Sequence, residues 1–291
     1  MLTTREILNG AAARLTPSNA ARRDAELLLM RVLGRDRAWL MTHPDAELTA
    51  EQAERFDAWV ARRVRQEPVQ YIVGEQEFYG LMLRVTPDVL IPRPETEHVV
   101  EAAIAKAGRD TAVKICDVGT GSGAIAIALA KELPRAEVTA VDCSAAALEV
   151  ARQNAEFHGV AERVRFVESD LLKAVRGERF DVVVSNPPYV AEGEALEAQV
   201  RDWEPHGALF AGPTGLEVYR RLILEAWLAL NPGGWLVMEI GHGQREAIEA
   251  LLSSHESSPG PEPKRGWSAV SFVADLQGIS RVAMARRVGG E

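Results

Sequence analysis

The sequence predicts an α/β protein, with a doubly wound, mostly parallel sheet preceded by a small N-terminal helical bundle. From residue 112 onward, short runs rich in Val, Ile and Ala alternate with longer segments of helical periodicity. That is the trace left by the strands and crossover helices of a parallel sheet. Before residue 75 the apolar residues recur at helical spacing instead. A glycine-rich stretch, 117–123, lies between the first strand and the first helix of the alternating part, which makes the sheet Rossmann-like. A chain of 291 residues suits about two domains at roughly 150 residues each. The expected division is a helical docking domain over 1–74, a β-hairpin linker over 75–90 and the α/β domain over 91–291.

In the first domain, Thr3 or Thr4 caps a helix carrying Ile7, Leu8, Ala11 and Leu15 on one face. Pro17-Ser18 opens a second helix, lined by Ala21, Ala25, Leu28, Leu29 and Val32 and ended by Gly34. A short third helix covers 36–41. Thr49 and Gln52 have capping-box spacing ahead of a helix through Phe56, Trp59 and Val60. Residues 68–74 read as a connector, and 75–85 alternate around Tyr79-Gly80 as a hairpin. In Ile91-Pro92-Arg93-Pro94-Glu95-Thr96-Glu97, proline and acidic residues open a helix that carries Val99, Val100, Ala103 and Ile104.

In the α/β domain, strands are expected over 113–117, 136–142, 164–168, 180–184 and 235–240. Helices are expected over 124–133, 145–157 and 215–230, and after the fifth strand through Leu252. The stretch 253–266 is rich in Ser, Pro and charge and reads as a surface loop. Two last strands, near 269–274 and 280–285, close the sheet.

Apolar content of 47% and charged content of 26% are those of an ordinary globular protein. A net charge of −9 argues against a broad grip on nucleic acid. No apolar run approaches the ~20 residues that span a membrane, and Met1 to Glu6 lacks a signal peptide's apolar core. A cytoplasmic, monomeric protein is expected. Cys116 and Cys143 read as reduced core residues at strand ends, and no Cys/His spacing suggests a metal site.

Ser185-Asn186-Pro187-Pro188-Tyr189 follows the apolar run 180–184. Two prolines cannot continue a ladder, so the chain leaves the sheet at its carboxyl end, where open α/β sheets bind ligands. Proline brings no N–H, and Asn186 adds a side-chain carbonyl. Asn186 Oδ1 and a nearby main-chain carbonyl can hold the two hydrogens of a planar –NH2 group, with Tyr189 stacked on its plane.

The loop Asp117-Val118-Gly119-Thr120-Gly121-Ser122-Gly123 allows a ligand close to the backbone. Gly119, Gly121 and Ala124, with Asp142 downstream, also satisfy a dinucleotide fingerprint. Three features favour S-adenosylmethionine over NAD. Asp117 precedes the glycines and can pair with an ammonium group. Gly123 tightens the loop. Asp170 follows the third strand of the alternating part, where it can meet an adenine amino group, while Asp142 takes the ribose diol.

The glycine loop, Asp142, Asp170 and Asn186 to Tyr189 look like a class I S-adenosylmethionine-dependent methyltransferase. With the N-terminal helices, residues 70–74, Phe78-Tyr79-Gly80, residues 91–97, Glu204-Pro205 and Gly215-Leu216, the whole chain resembles the release factor glutamine methyltransferases, the HemK/PrmC family. The stretch 253–266 is longer and more polar than is usual for that family, and the last strands, with residues 277–281, match its ending only loosely.

The resemblance implies methylation of the glutamine amide nitrogen in the Gly-Gly-Gln motif of bacterial class 1 release factors, with S-adenosylhomocysteine as product and no metal. It implies Asn186, Pro187 and Tyr189 as catalytic, Pro188 beside them at the substrate, and Thr120, Leu171 and Asn186 itself among the cofactor contacts. The N-terminal domain is expected to dock the release factor. The alternatives are a glutamine of a ribosomal protein or an amino group of a nucleic acid, which the same cradle would accept.

Overall fold

The computed structural model describes residues 3–15, 20–253 and 266–288. It divides into two compact units, Met1–Glu75 with Leu196–Trp203, and Gln76–Ala195 with Glu204–Glu291.

In the first unit, Thr3 caps helix Thr4–Arg14 by the reciprocal bonds of a capping box with Glu6, and Thr49 caps Ala50–Val64 in the same way with Gln52. Asp36 caps Arg37–Thr42 by accepting from the Trp39 N–H at 2.7 Å. Helix Ala21–Leu33 ends on Gly34 at φ 62°. The opening expected at Pro17-Ser18 lies outside the described residues. Leu8, Ala11, Leu28, Leu29, Phe56 and Val60 form the core, on the faces their spacing predicts. Residues 68–74 are not an irregular connector. They form a helix, Val69–Val73, started by Pro68 and ended by Gly74 at φ 84°. Burial of Val69, Tyr71 and Ile72 outweighs the weak helical preference of their β-branched and aromatic side chains. The second segment of this unit enters through Gln199, whose Oε1 accepts from Arg63 Nη2 at 3.1 Å. Arg63 is buried and also donates to Asp24 at 2.8 Å.

Strands β1 (Glu75–Phe78) and β2 (Leu81–Arg84) form the hairpin. Tyr79 and Gly80 both take positive φ, 52° and 71°, as a two-residue turn between twisted strands requires. The main sheet comprises β3 (Lys114–Val118), β4 (Glu137–Asp142), β5 (Val164–Glu168), β6 (Phe180–Ser185), β7 (Leu230–Glu239), β8 (Trp267–Ala274) and β9 (Ser280–Arg287). Among the described residues its order is β5-β4-β3-β6-β7-β9-β8. β3 to β7 run parallel, while β9 is antiparallel to both neighbours.

Strand alternation divides the core between the two faces. Val182, Val184 and Val237 pack with helices Glu97–Ala107 and Ala124–Glu132. Val183, Leu236 and Met238 pack with helices Glu217–Ala229 and Arg245–Ser253. Cys116 is buried within β3, whereas Cys143 is exposed, because the chain has already left the sheet at Asp142. The loop expected over 253–266 falls almost entirely outside the described residues. Among the described residues, no helix is long and apolar enough to cross a membrane.

Candidate active site

The strand order reverses between β3 and β6, and Val118 pairs with Ser185 at their carboxyl ends. This switch point brings the glycine loop and the Asn186 turn side by side although some sixty residues separate them. Ser185 Oγ locks the junction by donating to the Val118 carbonyl at 2.7 Å.

The glycine loop is shaped largely by its backbone. The Val141 carbonyl accepts from the Gly119 N–H at 2.8 Å and the Thr120 N–H at 3.0 Å. Gly123 stands at φ 83°, a conformation that strains any other residue, and a Cβ there would also crowd Ile127 Cδ1 at 2.9 Å and Ala151 Cβ at 3.1 Å. Asn154 Nδ2 holds the far side of the loop through the Ser122 carbonyl at 2.9 Å. Asp142 ties the loop to β4: Oδ2 accepts from the Gly121 N–H and Oδ1 from the Ser144 N–H, each at 2.9 Å.

Asp117 is fully buried at the end of β3. Its Oδ2 accepts from Thr120 Oγ1 at 2.6 Å and from the Ala126 N–H at 3.2 Å. Its Oδ1 is buried with no hydrogen-bond partner among the described residues. Burial raises its pKa to about 7 against those two bonds. A buried carboxylate oxygen without a partner is costly unless a cationic donor meets it. Asp170 lies two residues beyond β5 and is exposed. Lys173 Nζ and Arg221 Nη2 each donate to it at 2.6 Å, and both hold its carboxyl below the usual range. Leu171 follows at φ 50°. The loop and Asp142 are thus directly bonded, whereas Asp170 is bonded to Lys173 and Arg221.

Beyond β6 the turn is tied to residues distant in sequence. Asn186 Nδ2 donates to Thr96 Oγ1 at 3.0 Å, and Thr96 Oγ1 donates to Glu239 Oε2 at 2.6 Å. Tyr189 donates its hydroxyl to Glu239 Oε1 at 3.4 Å. Burial raises the Glu239 pKa to about 7 and, with the Glu239 charge, pushes the Tyr189 phenol up. No hydrogen bond among the described residues takes Asn186 Oδ1. The stretch 91–97 does more than open a helix. Arg93 pairs with buried Glu204, which also accepts from the Ile91 N–H at 3.2 Å. Glu97 accepts from the Tyr79 N–H at 2.9 Å and so secures the hairpin turn. Sequence reasoning missed Glu239 and the contact role of Thr96. The available signal was an acidic residue closing the apolar run 235–240.

Comparison with known proteins matches residues 6–74 to the family described as PrmC N-terminal domain, and residues 99–202 to Methyltransferase small domain. A protein of Koribacter versatilis named release factor glutamine methyltransferase is 48% identical over 275 residues, covering 94% of this chain and 92% of its own length. One of the same name from Geobacter sulfurreducens is 42% identical over 288 residues, covering 98% and 96%. In fold, a methyltransferase from Pyrococcus furiosus superposes with a TM-score of 0.51 at 21% identity, over 79% of this chain and 97% of that one. With matches of this identity along nearly its whole length, the chain belongs to the release factor glutamine methyltransferase family.

Proposed function

We propose that this protein methylates the side-chain amide nitrogen of the glutamine in the Gly-Gly-Gln motif of class 1 peptide chain release factors, with S-adenosylmethionine as methyl donor. The observation that carries the reading is the pairing at one switch point of an oriented Asn186 carboxamide with a buried, half-partnered Asp117.

The residues present fit the donor. Asp117 Oδ1 meets its ammonium group, which stabilises the ionised carboxylate. Asp142 accepts the ribose hydroxyls on lone pairs left free by the two backbone bonds, and the loop from Gly119 to Gly123 admits the amino-acid moiety. Thr120 positions Asp117. The Asp170-Leu171 turn receives the adenine. When bound, S-adenosylmethionine supplies a methyl group activated by a sulfonium.

An amide nitrogen is a weak nucleophile because its lone pair is delocalised into the carbonyl. Asn186 Oδ1 and the Pro187 carbonyl accept its two N–H bonds, which favours a pyramidal nitrogen and stabilises the positive charge that develops there, until the methylated and now acidic nitrogen releases one proton to solvent. Pro188 stiffens the turn, and Tyr189, with its hydroxyl anchored on Glu239, offers a ring to the amide plane. Preorganisation lowers the barrier because these acceptors need not rearrange as charge appears.

The deciding experiment offers radiolabelled methyl donor with a release factor, with its Gln→Ala variant in the Gly-Gly-Gln motif, and with ribosomal protein and nucleic acid as controls. Label in the intact factor alone supports the reading. Label in ribosomal protein or nucleic acid, or in the Gln→Ala factor, sinks the substrate assignment.

A further inference from the structure

We propose that Glu239 and Thr96 are positioning residues that fix which way the Asn186 carboxamide faces, so that Oδ1 rather than Nδ2 is presented to the acceptor amide. This rests on the reading of Asn186 as the group that holds that amide.

The two ends of a carboxamide have nearly the same shape, so packing alone orients one poorly; hydrogen bonds decide. Thr96 has one hydroxyl hydrogen. Ionised Glu239 is an acceptor only, and it takes that hydrogen at 2.6 Å. Thr96 Oγ1 then has only lone pairs left for Asn186, and it accepts from Nδ2 at 3.0 Å. The opposite face would set two acceptors against each other. Oδ1 is therefore turned away from Thr96. All three side chains are wholly or partly buried, and Thr96 and Glu239 are 4% and 3% exposed, so water does not offer the hydroxyl a competing partner.

The arrangement reverses if Glu239 takes a proton. A carboxylic acid can donate to Thr96, which frees the threonine hydrogen to turn towards Asn186 Oδ1. The groups facing Glu239 set where this happens. Burial and Glu95 raise its pKa, while Thr96, Tyr189 and Arg281 lower it, leaving it at about 7. Tyr219 donates its hydroxyl to the Glu239 main-chain carbonyl at 3.0 Å and does not compete for the carboxylate. Turnover at saturating methyl donor should therefore fall as pH drops below about 7.

The test compares wild type, Thr96→Val and Thr96→Ser by two readouts: turnover against pH, and the side-chain amide signal of Asn186 in nitrogen-15 NMR. In the wild type, the Nδ2 protons should be protected from exchange at pH 8 and lose that protection as pH falls through about 7. Thr96→Val nearly conserves shape but has no hydroxyl. It should lose the protection, about 100-fold in turnover and the acid limb assigned to Glu239, with methyl-donor Kd unchanged. Thr96→Ser should restore all three. Turnover and limb unchanged in Thr96→Val, or a serine variant as poor as the valine one, would overturn the proposal. Should Thr96→Val not fold, a wild-type Asn186 signal insensitive to pH overturns it alone. If the amide signal behaves as expected but no label reaches a release factor, the substrate reading fails while the orienting role stands.

Discussion

Gln244 Nε2 donates to the Tyr189 carbonyl at 3.0 Å while its Oε1 accepts from the Gly241 N–H at the same distance. One side chain thereby ties the turn after β6 to the turn after β7. It also gives the Tyr189 carbonyl a hydrogen-bond partner within the protein.

Replacing this clamp should loosen the turn without touching the glycine loop. Gln244→Ala leaves two main-chain groups without their partner, a loss of about 1–3 kcal/mol. The expected result is a turnover lowered roughly 10-fold or more as the turn moves, with methyl-donor Kd within about 2-fold of wild type. Calorimetry beside steady-state kinetics checks this, and a parallel loss of donor affinity would count against it.

Gly215 backs the same turn. It stands at φ 73°, and a Cβ there would lie 2.5 Å from the Tyr189 carbonyl and 3.2 Å from the Ala191 nitrogen. Gly243 has a similar φ of 79° but meets nothing within 4 Å. Gly243→Ala should cost only backbone strain, on the order of 1 kcal/mol. Gly215→Ala adds the collision, about 1–3 kcal/mol more. Its Tm should therefore be lower by several degrees, at roughly 2–4 °C per kcal/mol. Equal melting temperatures would show that the turn yields freely.

Asp117 makes a pH-dependent prediction. Its folded pKa of about 7 lies above the ordinary 3.8, so the folded state holds the proton more tightly than the unfolded chain. The stability this gives is fully present below about pH 4 and is lost as pH rises through about 7. Urea unfolding of the ligand-free protein should show stability falling over that window, with part of the fall due to Glu239, which shares the same sign. Asp117→Asn should flatten the slope. It should also weaken methyl-donor binding by roughly 10–100-fold, since a bond between charged groups is worth about 1.5–3 kcal/mol. A variant that keeps both the slope and the affinity would remove Asp117 from the donor site.

Asn186→Ala should lower turnover by ~100-fold or more, because one preorganised contact to developing charge is worth about 3 kcal/mol. Donor affinity should change little. Equal losses in both would place Asn186 in donor binding rather than at the acceptor.

Local pattern determined a large part of this molecule. Apolar periodicity placed Val164–Glu168 and helix Ala145–Phe157 at both ends, but the strand expected from residue 235 begins at Leu230, where Asn231-Pro232-Gly233-Gly234 hides it from an apolar pattern. Capping-box spacing placed the helix start at Thr49, while the first cap, open between Thr3 and Thr4 in the sequence, falls on Thr3. The glycine loop and the Asn186 turn were legible because glycine and proline act on their own backbone, whatever surrounds them. What escaped was decided by burial and by partners far along the chain. The helix at Val69–Val73 forms because its side chains are covered, and residues 196–203 join the first unit through Gln199. Asn186 reaches Thr96 across 90 residues and Thr96 reaches Glu239 across 143. The sequence by itself determined the main strands and helices and which residues stand at the strand ends, since these follow from short-range sterics and spacing. Only the tertiary structure decided which donor meets which acceptor there, because a hydrogen bond depends on where two groups lie in space, and the strand order that brings them together is set by packing of the whole sheet.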